Sequence, residues 1–409
     1  MTPEHVALTI FLVSYIGIAF GSLPGLIIDR TGIALLGAIA MLAAGILNET
    51  EAFNAINLPT IFLLYSLMVL SAQFTIGGLY TRVALSLTRF TEKPERFLFM
   101  LMASTAVFSA FVVNDIVCLA FTPIVCVSLL RASLNPVPFL IGLACASNIG
   151  SAATIIGNPQ NMLIGQIGRL HFGKFLLWCA PPTVLALGAA YFIIVFLYRG
   201  KWKGTASGSI DVCGEWTEYN AHQTGKGLIL AAILIISFFT PLRRELIALA
   251  IAGILLCSRK ITTRSLLGLV DWHLITLFCG LFIIIAGIVK YGIPVKVVGL
   301  LSSVGLNINS PLELSVLTVL LSNIVSNVPA VMLLIHHIDL HATQNLYMLA
   351  LVSTFAGNFL IIGSIANLIT FEQAKKFDVL ISVKEHAKAG IPITVLSILI
   401  ALTWSAFVR

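Results

Sequence analysis

Ile156-Gly157-Asn158-Pro159-Gln160-Asn161-Met162 places a glycine, a proline and three amide side chains inside a long apolar stretch. That stretch runs for 37 residues between Arg131 and Arg169 and contains no Asp, Glu, Lys, Arg or His. About 20 apolar residues suffice to cross a bilayer. Helix breakers beside amides at hydrocarbon depth predict a broken helix that exposes backbone polar groups to a site near the membrane midplane.

The composition of the whole chain indicates an integral membrane protein. Of its 409 residues, 58% are hydrophobic and 10% charged, whereas soluble domains carry about 25% charged residues. The net charge of +7 is expected in cytoplasmic loops, and there is no soluble basic domain to bind nucleic acid. The apolar stretch 1–23 lacks a basic leader, so we expect a retained first helix. The seven cysteines have no CxxC spacing, and the six that lie in apolar segments are expected to be small apolar fillers.

The pattern of the opening stretch occurs twice along the chain. A tip with Asn114-Asp115, then Ser147-Asn148 and the stretch 157–161, is followed in the second half by Ser326-Asn327, Gly357-Asn358 and the stretch 363–367. The stretches 29–35 and 57–79 also resemble 243–249 and 271–292, about 214 residues later. The sequence therefore predicts a first repeat at 1–198, a linker at 199–225 and a second repeat at 226–409.

We predict an all-α membrane protein with about ten transmembrane helices and two re-entrant hairpins, at 97–131 and 312–338. Each hairpin is too short for two full spans, which need about 40 residues plus a turn. The positive-inside rule assigns the basic clusters to the cytoplasm, so Arg30 and Arg244 enter their repeats from opposite faces and the repeats are inverted. Arg243, Arg244 and Lys174 are exceptions, because they fall on the opposite face. The basic clusters are Arg82, Arg89, Lys93, Arg96, Arg199, Lys201, Lys203, Arg259, Lys260, Arg264, Lys375, Lys376, Lys384 and Lys388.

Asp115 is the single acidic residue that the sequence places inside the hydrocarbon region. A carboxylate costs about 2.5–3.5 kcal/mol there on the insertion scale, so it must be protonated, hydrated or paired. It is our candidate for ion coupling, by a proton or another cation. The alternative is a structural cap on the helix that starts at Ile116. Thr122 is a second coupling candidate, although a hydrogen bond to its own helix is the more common behaviour of a threonine in such a helix.

Amides, hydroxyls and a glycine around the breaks are the candidate substrate-binding residues, because broken helices present such groups to a bound solute. Hydrogen bonds between membrane helices are the alternative role for each amide. The His336, His337 and His341 group is expected to be an interfacial turn rather than a metal site. No nucleotide loop or catalytic motif occurs, so an enzyme is not expected. The binding set is Asn114, Asn148, Gly157, Asn158, Asn161, Ser326, Asn327, Asn358, Ser364 and Asn367.

These motifs resemble the ion transporter superfamily, which contains arsenite permeases, NhaD sodium/proton antiporters, silicon exporters and divalent anion/sodium symporters. The carrying stretches are 114–124, 156–164, 324–329 and 363–369, and the similarity is greatest to bacterial anion permeases of the ArsB/YbiR type. The resemblance implies a plasma-membrane protein, in a bacterium the inner membrane, that transports without ATP by alternating access. Where the dicarboxylate symporters carry Ser-Asn-Thr at the tips, this chain has Val113-Asn114-Asp115 and Ser326-Asn327-Val328.

The leading hypothesis is a proton-coupled exporter of small inorganic anions or metalloid hydroxides such as arsenite or silicate, without a cofactor or a bound metal. A dianion is disfavoured beside an ionised Asp115, because like charges at 4 Å repel by about 4 kcal/mol at an effective dielectric of 20. The alternatives are a sodium-coupled di- or tricarboxylate symporter or a sodium/proton antiporter, and, from another class, a channel or a scaffold subunit. Some branches of the superfamily form dimers, so a homodimer is compatible with the resemblance.

Overall fold

The structure is a computed structural model of the chain and describes residues 2–21, 25, 27–204, 216–296, 299 and 307–408. Within these residues it is helical apart from loops and an isolated β-bridge between Leu134 and Lys203, which confirms the all-α prediction. The helices are α1 Pro3–Phe20, α2 Arg30–Ala43, α3 Glu49–Ala55, α4 Leu58–Ile76, α5 Leu79–Leu87, α6 Pro94–Phe111, α7 Asn114–Arg131, α8 Pro136–Ser151, α9 Pro159–Ile167, α10 Phe172–Leu197, α11 Ala221–Ser237, α12 Arg244–Leu256, α13 Thr263–Leu267, α14 Trp272–Lys290, α15 Pro311–Val325, α16 Asn327–Leu334, α17 Thr343–Ala356, α18 Ile365–Lys375 and α19 Val383–Phe407.

Many of these helices have the length and composition of membrane spans. Among the described residues, α1, α4, α7, α10, α14 and α19 are long and apolar enough to cross a bilayer, and α2, α8, α11 and α15 are shorter apolar helices. On α10, Leu177, Phe192 and Phe196 are 76%, 69% and 79% exposed. Exposed apolar faces of this kind are typical of helices in contact with lipid, and with these candidate spans they confirm the prediction of a multi-pass membrane protein.

The apolar run of the opening stretch is broken where its glycine and proline predict. The helix α8 ends at Ser151 and α9 begins at Pro159, whose missing N–H is not needed at the first helical position. In the second half α17 ends at Ala356, a short 3-10 helix covers Ile361–Gly363, and α18 begins at Ile365. We call the segments 152–158 and 357–364 the first and second breaks.

The α6–α7 pair forms the first hairpin, and its tip stops at the level of the first break. A Cβ added at Gly142 would lie 2.7 Å from the Leu98 side chain, and one at Gly150 would lie 2.4 Å from Ala106. The helices α6 and α8 therefore run side by side in the same direction, and α7 ends close to the start of α8. Both ends of the hairpin lie on the face where α8 begins, while α9 continues beyond the tip. This is the predicted re-entrant arrangement.

The face at which the first hairpin starts is also the end of α10. The Asn135 N–H donates to Trp202 O at 2.9 Å, and the Gly204 N–H donates to Ser133 O at 3.0 Å. Tyr198, at the end of α10, donates from its hydroxyl to Glu385 Oε1 at 2.8 Å. The end of α10 thus meets the start of α19, and the far end of α19 lies at the opposite face.

The second hairpin, α15–α16, starts from that opposite face. Gln344 Nε2 donates to Ser405 Oγ, near the far end of α19, at 2.9 Å, and Asn345 Nδ2 donates to Asn309 O, just before α15, at 3.1 Å. The eight residues of α16 rise only about 12 Å, too little to cross a bilayer. The two hairpins therefore enter from opposite faces and meet in the interior, as an inverted arrangement requires.

The predicted segment boundaries differ from the observed helices at two places. The helix α11 begins at Ala221, inside the range 199–225 predicted as linker, because the Asn220 side chain caps it by accepting from the Gln223 N–H at 3.1 Å. Residues 205–215 of that linker lie outside the described residues. The last helix begins at Val383, whereas its apolar run predicts a last span at 391–408, because Ser382 caps the helix and its first turns are polar. The repeat boundaries remain a prediction.

Candidate functional site

The tip of the first hairpin is tied to the first break by backbone and side-chain hydrogen bonds. The Asn114 N–H donates to Gly157 O at 3.3 Å, and Ser147 Oγ on α8 donates to Asn114 O at 3.1 Å. Asn114 and Asp115 form the first turn of α7 and are only 5% and 7% exposed. The structure thus brings the predicted tip residues together with Gly157.

The tip of the second hairpin makes the corresponding contacts with the second break. A single residue, Ser326 at φ +75°, separates α15 from α16. With its amide oriented to satisfy its neighbours, Asn327 donates from Nδ2 to Gly363 O at 3.0 Å and to Ser353 O at 2.9 Å. Each tip therefore contacts both the helix that precedes the break beside it and the far end of that break.

Each break is also closed by an amide from the helix that follows it. Asn161 Nδ2 donates to Ser151 O at 3.3 Å and Thr154 O at 3.1 Å. Asn367 Nδ2 donates to Gly357 O at 2.7 Å and Leu360 O at 3.2 Å. Donors and acceptors in the second break lie 206 residues after those in the first. These two amides hold the breaks open as fixed loops, the structural role that sequence reasoning left as an alternative.

Polar side chains in the two breaks and on the helices beside them meet in the interior of the molecule. Asn148 Nδ2 donates to Asn358 Oδ1 at 2.8 Å and to Asn367 Oδ1 at 3.0 Å, while Ser364 Oγ donates to Asn148 Oδ1 at 2.8 Å. In the reciprocal direction, Asn158 Nδ2 donates to Thr354 Oγ1 at 3.1 Å. The halves of the chain are joined by polar contacts in an otherwise apolar interior.

The reciprocal contacts change one pairing made from the sequence. The spacing of 206 matches Ser147-Asn148 with Ser353-Thr354, rather than with Gly357-Asn358. Asn148 accepts from Ser364, the residue that caps α18, and Thr354 accepts from Asn158, the residue that caps α9. Matching Asn148 with Asn358 because both are asparagine displaces the pairing by four residues, about one helical turn, from Thr354.

A small cavity lies where the tips and breaks converge, with about 20 Å³ open to a water-sized sphere, room for roughly one water molecule. Four helices begin at this cavity: α7, α9, α16 and α18. Each helix N-terminus carries about half a positive charge, because the N–H groups of its first turn have no partner within the helix. The lining residues are Asn114, Asp115, Asn148, Pro159, Gln160, Leu274, Ser326, Asn327, Val328, Ser364 and Ile365.

Asp115 is the charged side chain of the cavity wall. No ion pair to it is found among the described residues, and the positive groups around the same cavity are the helix N-termini. Asn114 Oδ1 is buried without a hydrogen-bond partner on the same wall. A carboxylate facing four positive helix ends can hold a proton, a small cation or a polyhydroxylated solute.

The remaining predicted residues take different places around the cavity. Gly157, Asn158, Asn161, Asn358 and Asn367 lie behind the wall, and they support it through the hydrogen bonds above. Thr122 is not part of the wall, and its Oγ1 donates to Cys118 O of its own helix at 2.7 Å. Groups of three or more His, Cys, Asp or Glu side chains able to hold a metal are absent from the described part of the chain.

Three residues near the cavity were not singled out from the sequence. Gln160 lines it and donates from Nε2 to Thr354 Oγ1 at 3.4 Å; its place in the opening stretch was a usable signal. Asp271 caps α14 by accepting from the N–H of Leu274, a lining residue, at 2.9 Å. His386 contacts Asn358 O at 2.9 Å. Asp271 and His386 carried no local signal, because only the packing brings them here.

Comparison with known proteins places this geometry among membrane transporters. The profile of the citrate transporter family, CitMHS, matches residues 15–356. The chain is 27% identical to the silicon efflux transporter LSI3 of Oryza sativa subsp. japonica, over 87% of each chain. It is 25% identical to a transporter of Dictyostelium discoideum named arsB, over 96% of this chain and 89% of that one.

A solved structure has the same fold. The crystal structure of the YdaH transporter of Alcanivorax borkumensis matches with a TM-score of 0.58 and 12% identity, over 100% of this chain and 98% of that one. At this identity the match concerns the architecture alone.

Proposed function

The chain belongs to the citrate transporter family CitMHS, and from this premise we propose that it exports small inorganic anions or neutral metalloid hydroxides in exchange for protons. It is a secondary transporter of the CitMHS/ArsB type. The solute would cross by alternating access around the cavity between the hairpin tips, and no chemistry on the solute is involved.

The observation that carries the proposal is the cavity wall itself. It offers amides, hydroxyls and four helix N-termini, and its one charged side chain is the carboxylate of Asp115. Arsenous acid and silicic acid are neutral near pH 7 and carry three and four hydroxyl groups on a small centre. Such a solute can accept from the helix N–H groups and donate to amide oxygens and to Asp115. The names of the silicon efflux and arsB relatives support the same class.

The wall supports a small solute better than a tricarboxylate. Citrate has thirteen non-hydrogen atoms and would need several cationic partners, and none of the lining side chains is cationic. Its charges would also face Asp115 at short range, at a cost of about 4 kcal/mol per like pair at 4 Å and an effective dielectric of 20.

Proton coupling is assigned to Asp115. An ionised carboxylate is costly to bury in a membrane, and binding of a proton removes its charge. The protonated carboxyl group can also donate a hydrogen bond at the solute site, which the carboxylate cannot. Solute and proton would then compete for one side chain, and competition of this kind produces exchange in opposite directions.

Flux in proteoliposomes tests the proposal. With a lumen more acidic than the bath, purified protein should accumulate arsenite or silicic acid saturably as protons leave. Asp115→Asn should abolish the gradient-driven accumulation. Asp339→Asn, a change in an exposed loop, is the matched control and should transport as the unmodified protein does. Undiminished gradient-driven flux in Asp115→Asn would refute the coupling role.

The second candidate is a sodium-coupled carboxylate symporter or a sodium/proton antiporter. Its support is the description of the matching family as citrate transporters, together with a second carboxylate, Asp271, which is bonded to the lining residue Leu274. Citrate uptake that requires sodium and no pH gradient would favour it. Flux without saturation or counterflow would instead point to a channel, and no flux of any solute from the isolated chain would point to a scaffold.

A further inference from the structure

The two breaks differ at one buried amide. The spacing of 206 that relates Asn158 to Ser364 and Asn161 to Asn367 places Ala152 opposite Asn358. Asn358 is fully buried, and its Oδ1 accepts from Asn148 Nδ2 at 2.8 Å. The second break therefore contains a contact to the wall of the cavity that the first break lacks, and the residue that makes this contact is supported by a further side chain.

The support comes from His386 on α19. Its side chain is fully buried, and Nε2 lies 2.9 Å from Asn358 O. The edge of the ring packs on Phe371 of α18, with ring centroids 5.4 Å apart. One turn further, a Cβ added at Gly390 would lie 2.2 Å from Asn358 O. Only glycine lets α19 approach the break closely enough for this contact.

The hydrogen-bond partners of His386 determine its tautomer. The carbonyl of Asn358 can only accept, so Nε2 must carry the hydrogen. Nδ1 is buried and has no partner in the described surroundings, so a second proton there would have no acceptor. The charged neighbours on α19, Glu385 and Lys388, pair with each other at 2.6 Å, and Tyr198 donates to Glu385. His386 is therefore a neutral donor to the break.

We propose that His386 is a positioning residue for the transport site, an inference that rests on the proposed function of the cavity. Its Nε2–H fixes the backbone of Asn358, which places Asn358 Oδ1 to accept from Asn148. Asn148 is thereby oriented to accept from Ser364, and both Asn148 and Ser364 line the cavity. The histidine acts through its hydrogen-bond donor and not through uptake of a proton.

Two substitutions test whether His386 acts through its hydrogen-bond donor. His386→Gln keeps a donor at similar reach, and we expect its half-saturating solute concentration to stay within about twofold of the unmodified protein. His386→Leu has similar volume and no donor, and it should raise that concentration about tenfold, as expected for the loss of one buried hydrogen bond. Both variants should keep the pH profile of the unmodified protein. If His386→Leu does not fold, Gly390→Ala, which displaces Asn358 O, should reproduce its effect.

A spectroscopic measurement separates this inference from the identity of the solute. In protein labelled with 15N-histidine, the resonance that His386→Gln removes should report the neutral Nε2–H tautomer. Absence of transport with that tautomer present would contradict the proposed solutes and leave the positioning contact standing. An Nδ1–H or doubly protonated ring, or a flattened pH profile in His386→Gln, would overturn the positioning role.

Discussion

Asn148 is the side chain through which the two halves of the site meet, because it donates to Asn358 and Asn367 and accepts from Ser364. Asn148→Ala leaves all three partners without their contact inside the membrane. Side-chain hydrogen bonds between membrane helices contribute about 0.6 kcal/mol each on average. We therefore expect a loss of about 2 kcal/mol in stability and a sharp fall in transport, measured by thermal unfolding in detergent and by flux in proteoliposomes.

Asn345→Ala is the control for that substitution. Asn345 is also buried, and it donates to Asn309 O far from the cavity, so its loss should lower stability slightly and leave transport unchanged. Equal transport by Asn148→Ala and Asn345→Ala would contradict the central role of Asn148.

The amides of the site could be found from the sequence, because Asn beside Gly and Pro in an apolar run is costly to bury. Their partners could not be found in this way, since those lie about 200 residues away and are set by packing.

The helix α9 is held at both ends, and its outer end depends on the other half of the chain. Arg244, the first residue of α12, donates from Nη2 to Gly165 O at 3.3 Å. A guanidinium at a helix C-terminus also favours the helix dipole, by about 0.3–1 kcal/mol. Arg244→Met should loosen α9, raise hydrogen exchange of the peptide 159–168, and reduce transport by displacing Gln160 from the cavity wall.

Arg243→Met serves as the comparison for α9. Arg243 is the exposed neighbour of Arg244 and pairs with Glu245 at 2.7 Å, so its loss should leave hydrogen exchange in α9 unaltered. Similar hydrogen exchange in both variants would argue against a role of Arg244 in holding α9.

Arg244 also explains an exception in the charge pattern, because it is partly buried and bonded to protein. The positive-inside rule applies to charges in loops, and a sequence cannot tell a loop arginine from one that caps a neighbouring helix.

The breaks were predictable at the scale of the element, and the helices beside them less so. Gly157 and Pro159 mark the end of one helix and the start of the next, by sterics that act within a few residues. The start of α19 at Val383 was missed, because its first turns are polar and hydropathy reports only the part of a helix that faces lipid or core.

The whole molecule consists of two hairpins that enter from opposite faces, and this arrangement gives a prediction about sidedness. Lys201 is exposed near the end of α10, on the face of the first hairpin, and His341 is exposed on the face of the second. The basic clusters assign Lys201 to the cytoplasm. In a background whose seven cysteines are replaced by alanine, a membrane-impermeant maleimide added to intact cells should label His341→Cys and spare Lys201→Cys. After permeabilisation both variants should react, and the cysteine-free background should remain unlabelled.

The possible labelling patterns distinguish separate parts of the architecture. Labelling of both positions from one side would contradict the inverted entry of the hairpins. The opposite order, with Lys201→Cys reactive in intact cells, would keep the inverted arrangement and reverse the orientation derived from charge. The distinction matters for transport, because the face on which each hairpin opens determines the side from which solute and proton reach Asp115. Gradient-driven export therefore requires the first hairpin to open toward the cytoplasm in one state and the second to open outward in the other.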